Sequence, residues 1–182
     1  MVKTEGSCDE YENSNATNKT GEGRVMERIM RRGDLAMTKE ETISLIKSCR
    51  FAVLSLIDPD GLPYGVALDY VYRDDHLYFH GANEGRKIDS MKTNPMGCAV
   101  ILGDTTVIPE KFGRQYTSAV VEGPIELIDD PEQKRQIMTW VVETNSPDYM
   151  EKGKAIIERM LDRVLIYKMK METVSGKHGI NY

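Results

Sequence analysis

The chain has 182 residues, 40% of them hydrophobic and 29% charged, with a net charge of −5. This is enough for one domain with a real core, and the acidic balance argues against nucleic acid as a primary partner. No apolar run reaches the roughly 20 residues of a bilayer-spanning helix and no signal-peptide core is present, so a cytoplasmic setting without a membrane partner is expected.

Residues 1–23 are rich in Glu, Asn, Thr, Lys and Gly and nearly free of large apolar groups. Such a composition does not offset chain entropy and predicts a disordered tail. Residues 24–182 then read as a single domain. Asn15 and Asn18 match glycosylation acceptors, which without a secretory signal read as chance. Arg24 to Arg32 reads as a basic connecting segment, with Val25, Met26, Ile29 and Met30 on one helical stripe.

The first clear helix begins at Thr38, where Thr38 and Glu41 have capping-box spacing. Phe51 to Ile57 is an apolar run that predicts a strand buried on both faces. Asp58-Pro59-Asp60-Gly61 turns it into a second strand opened by Pro63, giving a hairpin. In that second strand Val66, Leu68, Tyr70 and Tyr72 share one face, and Gly65, Ala67, Asp69 and Val71 the other. The second face leaves its backbone open either to a flat ligand or to a tight strand crossing. A third strand runs from His76 to His80.

After it comes Gly81-Ala82-Asn83-Glu84-Gly85 and a helix over about 84–93, stopped by Asn94-Pro95. Arg86 and Lys87 occupy its first turn, the end at which the helix dipole favours negative charge. Cations there, beside unpaired backbone N–H groups, suit a phosphate. The alternative is that they face solvent or pair with Glu84 and Asp89.

Gly97 to Leu102 predicts a further strand, Gly103 to Gly113 a loop, and Gln115 to Glu122 another strand that Pro124 to Ile128 continues after a break at Gly123-Pro124. Asp130-Pro131 starts a helix carrying Ile137, Met138, Trp140 and Val141 inward, and a second helix follows Pro147. Leu165 to Met171 reads as the closing strand, and Gly176-Lys177-His178-Gly179 as a basic cluster in a flexible tail. Cys49 and Cys98 lie among apolar neighbours and read as small core residues, while three scattered cysteines give no disulfide framework. Five or six strands linked mostly by hairpins, with few helices, predict a mainly β, antiparallel barrel with flanking helices.

His76, His80 and His178 are the chain's histidines, and no C-x-x-C, H-E-x-x-H, G-x-S-x-G or phosphate-loop motif is present. No metal site is therefore expected. His80 remains a candidate proton donor or an axial group for a planar cofactor, haem included.

Taken in order, Phe51-Ala52-Val53-Leu54, Asp58-Pro59-Asp60-Gly61-Leu62-Pro63-Tyr64, Tyr78-Phe79-His80-Gly81-Ala82, Gly85-Arg86-Lys87, Asn94-Pro95, Val107 to Phe112 and Tyr116 to Gly123 resemble the pyridoxamine 5′-phosphate oxidase-like flavoproteins, in particular their nitroimidazole-resistance branch. The resemblance covers about residues 30 to 178. It implies an FMN-binding split β-barrel, a homodimer with FMN between the subunits, and a small-molecule electron donor and acceptor, the latter a nitroaromatic in one reading. It further implies that the strand carrying Gly65, Val66, Ala67, Leu68 and Asp69 lies along the flavin ring through its backbone. Arg86 and Lys87 would hold the phosphate, His80, Gly81 and Ala82 would lie beside the ribityl chain or ring, and Ser118, Lys177 and His178 would complete the site. No further basic groups match those that bind the vitamin in pyridoxamine phosphate oxidases proper. An oxidoreductase passing electrons through FMN, a non-catalytic flavin- or haem-binding module, and a flavin-free scaffold all remain open.

Overall fold

A computed structural model describes residues 30–179. The expected disordered segment 1–23, most of the basic connecting segment and Cys8 lie outside the described residues.

The described residues form seven strands and four α-helices: α1 (Lys39–Ser48), β1 (Phe51–Ile57), β2 (Pro63–Arg73), β3 (His76–Ala82), α2 (Arg86–Thr93), β4 (Met96–Ile108), β5 (Gly113–Ile128), α3 (Pro131–Asn145), α4 (Met150–Met160), β6 (Val164–Lys170) and β7 (Thr173–His178). All pairings are antiparallel. The strand order is β4-β1-β2-β3-β6-β5-β7, and an added β4–β5 pairing closes the sheet into a barrel. The mainly β, split-barrel expectation is therefore met.

Local chemistry explains the starts. The Thr38 hydroxyl accepts from the Glu41 backbone N–H at 3.1 Å, and the Glu41 carboxylate accepts from the Thr38 N–H at 2.8 Å. The predicted capping box thus opens α1. Asp130 caps α3 through Gln133 N–H at 2.9 Å.

Four expectations change. The segment read as a loop, Gly103 to Gly113, extends β4 to Ile108 and begins β5, with only Pro109–Lys111 turning. A β-bulge between Leu102 and Thr105 absorbs the irregularity that Gly103 and Asp104 signal. The Gly123-Pro124 break does not end β5 but marks where its partner changes, from β7 over Thr117–Glu122 to β6 over Ile125–Ile128. A Cβ at Gly123 would sit 2.0 Å from the Lys170 carbonyl oxygen, so only glycine fits there. The expected flexible basic tail is β7, paired with β5 in register from Thr117↔His178 to Glu122↔Thr173. Lastly, β1 is buried on one face: Ala52, Leu54 and Leu56 are in the core while Phe51, Val53 and Ile57 are exposed.

The barrel interior packs Leu54, Tyr70, Leu77, Phe79, Ile101, Val121, Tyr167 and Met169, and Ile46 of α1 joins this core. The buried Tyr70 hydroxyl donates to the Ile46 carbonyl at 2.7 Å and ties α1 to β2. Outside the barrel, α3 covers β3 and β6 through Tyr78, Ile128, Ile137 and Ile166. No described helix is long and apolar enough to cross a membrane.

Candidate functional site

Among the described residues α3 packs on the outer side of β6 and of the end of β2, while Gly65, Ala67 and Asp69 of β2 and their neighbours Phe51, Val53, Val100 and Leu102 on β1 and β4 stay exposed. Register alone arranges the side chains of this outer face in rows. One row runs Gly65, Ser55, Cys98, Glu122, Thr173, and the next runs Ala67, Val53, Val100, Val120, Ser175. A third takes Asp69 and Phe51 on one side and Leu102, Ser118 and Lys177 on the other. Phe51, Val53, Val100 and Leu102 are exposed at 55%, 45%, 38% and 56%, which makes this face apolar at its centre. Contiguous exposed apolar surface of this kind marks a binding face.

Gly65 and Ala67 lie at the β2 border of that face. A Cβ on Gly65 would meet only Val53 Cγ1, at 3.6 Å, an ordinary contact. Chain packing therefore does not require glycine here, and the tight strand crossing is not what the structure shows. Val66 and Leu68 turn their side chains to the core, so only their backbones face outward. Cys98 also points out from this face rather than into the core and is half-buried. Burial and the Glu122 carboxylate raise its pKa.

His80 alternates with the fully buried Phe79 and so points to the outer side of β3. It lies one step beyond the Tyr70↔Phe79 pair, beside Asp69. Its Nδ1 is sealed from solvent and has no hydrogen-bond partner among the described residues. Burial pushes its pKa below the ordinary 6.5, against the pull of the Asp69 carboxylate, and so favours the neutral ring. An orphaned buried nitrogen calls for a partner.

Arg86 and Lys87 open α2 behind Gly85, whose φ of 101° suits glycine. Arg86 does not pair with Glu84 or Asp89. Its Nη2 and Nε donate to Asp58 Oδ2 at 2.6 and 3.2 Å, and its guanidinium lies 4.6 Å from the Tyr64 ring centroid. Lys87 is half-buried and has no ion-pair partner among the described residues. Its chain crosses Gly81, where a Cβ would come within 3.2 Å of Lys87 Cε and 2.8 Å of the Tyr167 hydroxyl. That hydroxyl donates to the Ala82 carbonyl at 2.8 Å. The structure thus gathers Gly65, Ala67, Asp69, His80, Gly81, Ala82, Arg86 and Lys87 around β2, β3 and the start of α2.

Ser118 and Lys177 are paired neighbours on the same outer face, but not in this group. Asp58, which holds Arg86, lies beyond the far end of β1 from Phe51. Strand rise and spacing put Ser118 on the order of 20 Å away from it within one chain. His178 points off the face and lies 3.9 Å from Glu41. It lines a pocket of about 640 Å³ with Cys49, Leu102 and Tyr116. Sequence reasoning missed Asp58, 28 residues from Arg86; the turn motif that contains it was visible, its ionic partner was not.

The donor set fits a phosphorylated planar cofactor: a bare backbone strip for a ring, an unpaired ring nitrogen and two cations. No group of three or more His, Cys, Asp or Glu arranged for a metal occurs among the described residues.

Comparison with known proteins bears on the fold. Among solved structures, a candidate 5-nitroimidazole antibiotic resistance protein from Bacteroides thetaiotaomicron is 22% identical, over 80% of this chain and 87% of its own, with TM-score 0.65. The flavocytochrome Anf3 from Azotobacter vinelandii is 18% identical over 85% and 75%, with TM-score 0.71. The FAD- and haem-binding protein from Mycobacterium smegmatis is 18% identical over 80% and 73%, with TM-score 0.68. At such identities the likeness is one of fold. No curated protein matches the chain. The family model described as pyridoxamine 5′-phosphate oxidase matches residues 38–178, and the chain therefore belongs to that family.

Proposed function

We propose that this protein binds FMN on the outer face of the barrel and works as an FMN-dependent oxidoreductase on a small organic acceptor, with a nitroaromatic as one candidate class. The observation that carries the reading is the strip beside Gly65 and Ala67, bordered by the orphaned His80 Nδ1 and by Lys87 and Arg86. Bound there, FMN would supply the electron chemistry. The chain's own residues would bind and orient: the β2 backbone would seat the ring, Lys87 and Arg86 would meet the phosphate, and His80, whose pKa burial lowers, would offer Nδ1 as a hydrogen-bond partner. Names among the structural neighbours, a flavocytochrome and an FAD- and haem-binding protein, support a flavin site.

The site also needs a second copy. Ser118 and Lys177 share the apolar face with Gly65 and Ala67 but stand far from Arg86 within one chain. A twofold pairing of the face would bring one subunit's Ser118 and Lys177 toward the other's α2, and it would cover Phe51, Val53, Val100 and Leu102. We therefore propose a homodimer with FMN at the interface, working in the cytoplasm.

A second reading, haem or flavin binding without turnover, is favoured by the free imidazole nitrogen of His80. The visible spectrum separates them, since haem gives one sharp Soret band and flavin two broad bands. FMN titration of the protein tests the first reading, with fluorescence quenching as readout. Taking the lower end of about 1.5–3 kcal/mol per charge-assisted hydrogen bond because Arg86 is half exposed, Arg86→Ala with Lys87→Ala weakens FMN by about 3 kcal/mol, roughly a hundredfold. Unchanged affinity in the double variant would refute the phosphate assignment.

A further inference from the structure

Asp58 is 6% exposed, and although it opens one of the stretches that carry the family resemblance, the flavin reading gives it no role. Its two carboxylate oxygens do different work. Oδ1 accepts the backbone N–H groups of Asp60 at 3.0 Å and Leu62 at 2.8 Å, locking the carboxylate into the β1–β2 turn. Oδ2 takes the two Arg86 donors at 2.6 and 3.2 Å. The turn is closed again by Asp58 N–H to Leu62 O and Gly61 N–H to Asp58 O, both at 2.9 Å. The Tyr64 ring lies against the guanidinium 4.6 Å from its centroid. Asp58 therefore has little rotamer freedom, and Arg86, though its side chain is 49% exposed, is held by a carboxylate and a ring.

A guanidinium has five N–H donors. Asp58 engages one on Nε and one on Nη2, which leaves three without a partner among the described residues, both of those on Nη1 included. We propose that Asp58 is a positioning residue: it fixes Arg86 so that these remaining donors face a phosphate, and so sets the preference of the site for a phosphorylated over an unphosphorylated flavin. The proposal rests on the flavin reading above. Its physical basis is preorganisation, because an arginine already ordered loses less side-chain entropy when it meets its ligand. The opposite effect is the competitor. A carboxylate beside Arg86 partly neutralises it, and if that dominates, removing Asp58 strengthens phosphate binding.

The experiment measures FMN and riboflavin affinity by fluorescence quenching for the full chain, Asp58→Asn, Arg86→Ala and the double variant. Asparagine keeps the acceptor for the turn amides and loses the charge. The expected result is a loss of about tenfold in FMN affinity for Asp58→Asn with riboflavin unchanged, and no additional loss when Arg86 is already alanine. Unchanged or tighter FMN binding in Asp58→Asn overturns the proposal. So does an equal loss for both flavins, which is the signature of a merely structural link between α2 and the turn. Equal affinity of the unaltered protein for both flavins overturns the phosphate reading itself, and no binding of either overturns the flavin reading. If Asp58→Asn does not fold, Asp58→Ser retains a short acceptor and the same FMN-to-riboflavin ratio decides.

Discussion

Placing a charge at Val53 tests whether the open barrel face is buried by a second copy. Val53 stands at the centre of that face, between Ala67 and Val100 in register, and is 45% exposed in the single chain. Full burial of an aliphatic side chain contributes about 1.5–3 kcal/mol, so the part still open is worth roughly 0.8 kcal/mol for a valine. A twofold interface uses every residue twice, which makes about 1.6 kcal/mol, or roughly fifteenfold in the dimer dissociation constant, from the lost apolar contact alone. In Val53→Asp two carboxylates must also leave water, at several kcal/mol each. The total passes roughly 4 kcal/mol, a thousandfold weakening. Sedimentation equilibrium over a concentration series reads this directly, with circular dichroism confirming that the half-exposed position leaves the barrel intact. An unaltered protein that sediments as a monomer, or a Val53→Asp variant that dimerises as well, would refute the reasoning.

Lowering the pH from 7 to 5 should destabilise the protein partly through His80. Its folded pKa lies below 6.5 because of burial, so the unfolded chain takes up a proton first and stability falls with pH below about 6.5; in His80→Asn that part of the pH dependence of the melting temperature disappears. Gly81→Ala places a methyl group 2.8 Å from the Tyr167 hydroxyl and 3.2 Å from Lys87 Cε. Overpacking of this kind costs about 1–3 kcal/mol, read as a lower denaturation midpoint, and FMN affinity should fall with it as Lys87 moves. Tyr70→Phe removes the buried 2.7 Å bond to the Ile46 carbonyl and should cost about 1–3 kcal/mol in urea unfolding, since the acceptor is left unsatisfied; no change would mean that the carbonyl finds another donor.

Features fixed by neighbours in sequence were legible without a structure. The Thr38–Glu41 box, the Asp58 to Gly61 turn, the Asp130 cap and the two faces of β2 all depend on contacts a few residues apart. What sequence reading lost depends on contacts from afar. Gly103 and Asp104 read as a loop, although the β-branched run Thr105-Thr106-Val107 pairs across the hairpin with Arg114, Gln115 and Tyr116. Thr173 to His178 carries no apolar alternation to announce a strand; the edge of β5 imposes one. The candidate site divides in the same way. Arg86 and Lys87 stood out as cations at a helix start, whereas Asp58, which holds Arg86, gave no local sign of doing so.

The position of β6 has a consequence for biosynthesis. β6 inserts between β3 and β5, pairing with His76–Ala82 on one side and Ile125–Ile128 on the other. On a ribosome the first five strands emerge in succession, yet the ring stays open until residues past Lys170 clear the exit tunnel. Until then β3 and the distal half of β5 are bare edges, the kind of surface that recruits stray strands. A chain lacking Val164–Lys170 would therefore be an aggregation-prone open sheet with two bare edges rather than a slightly smaller barrel.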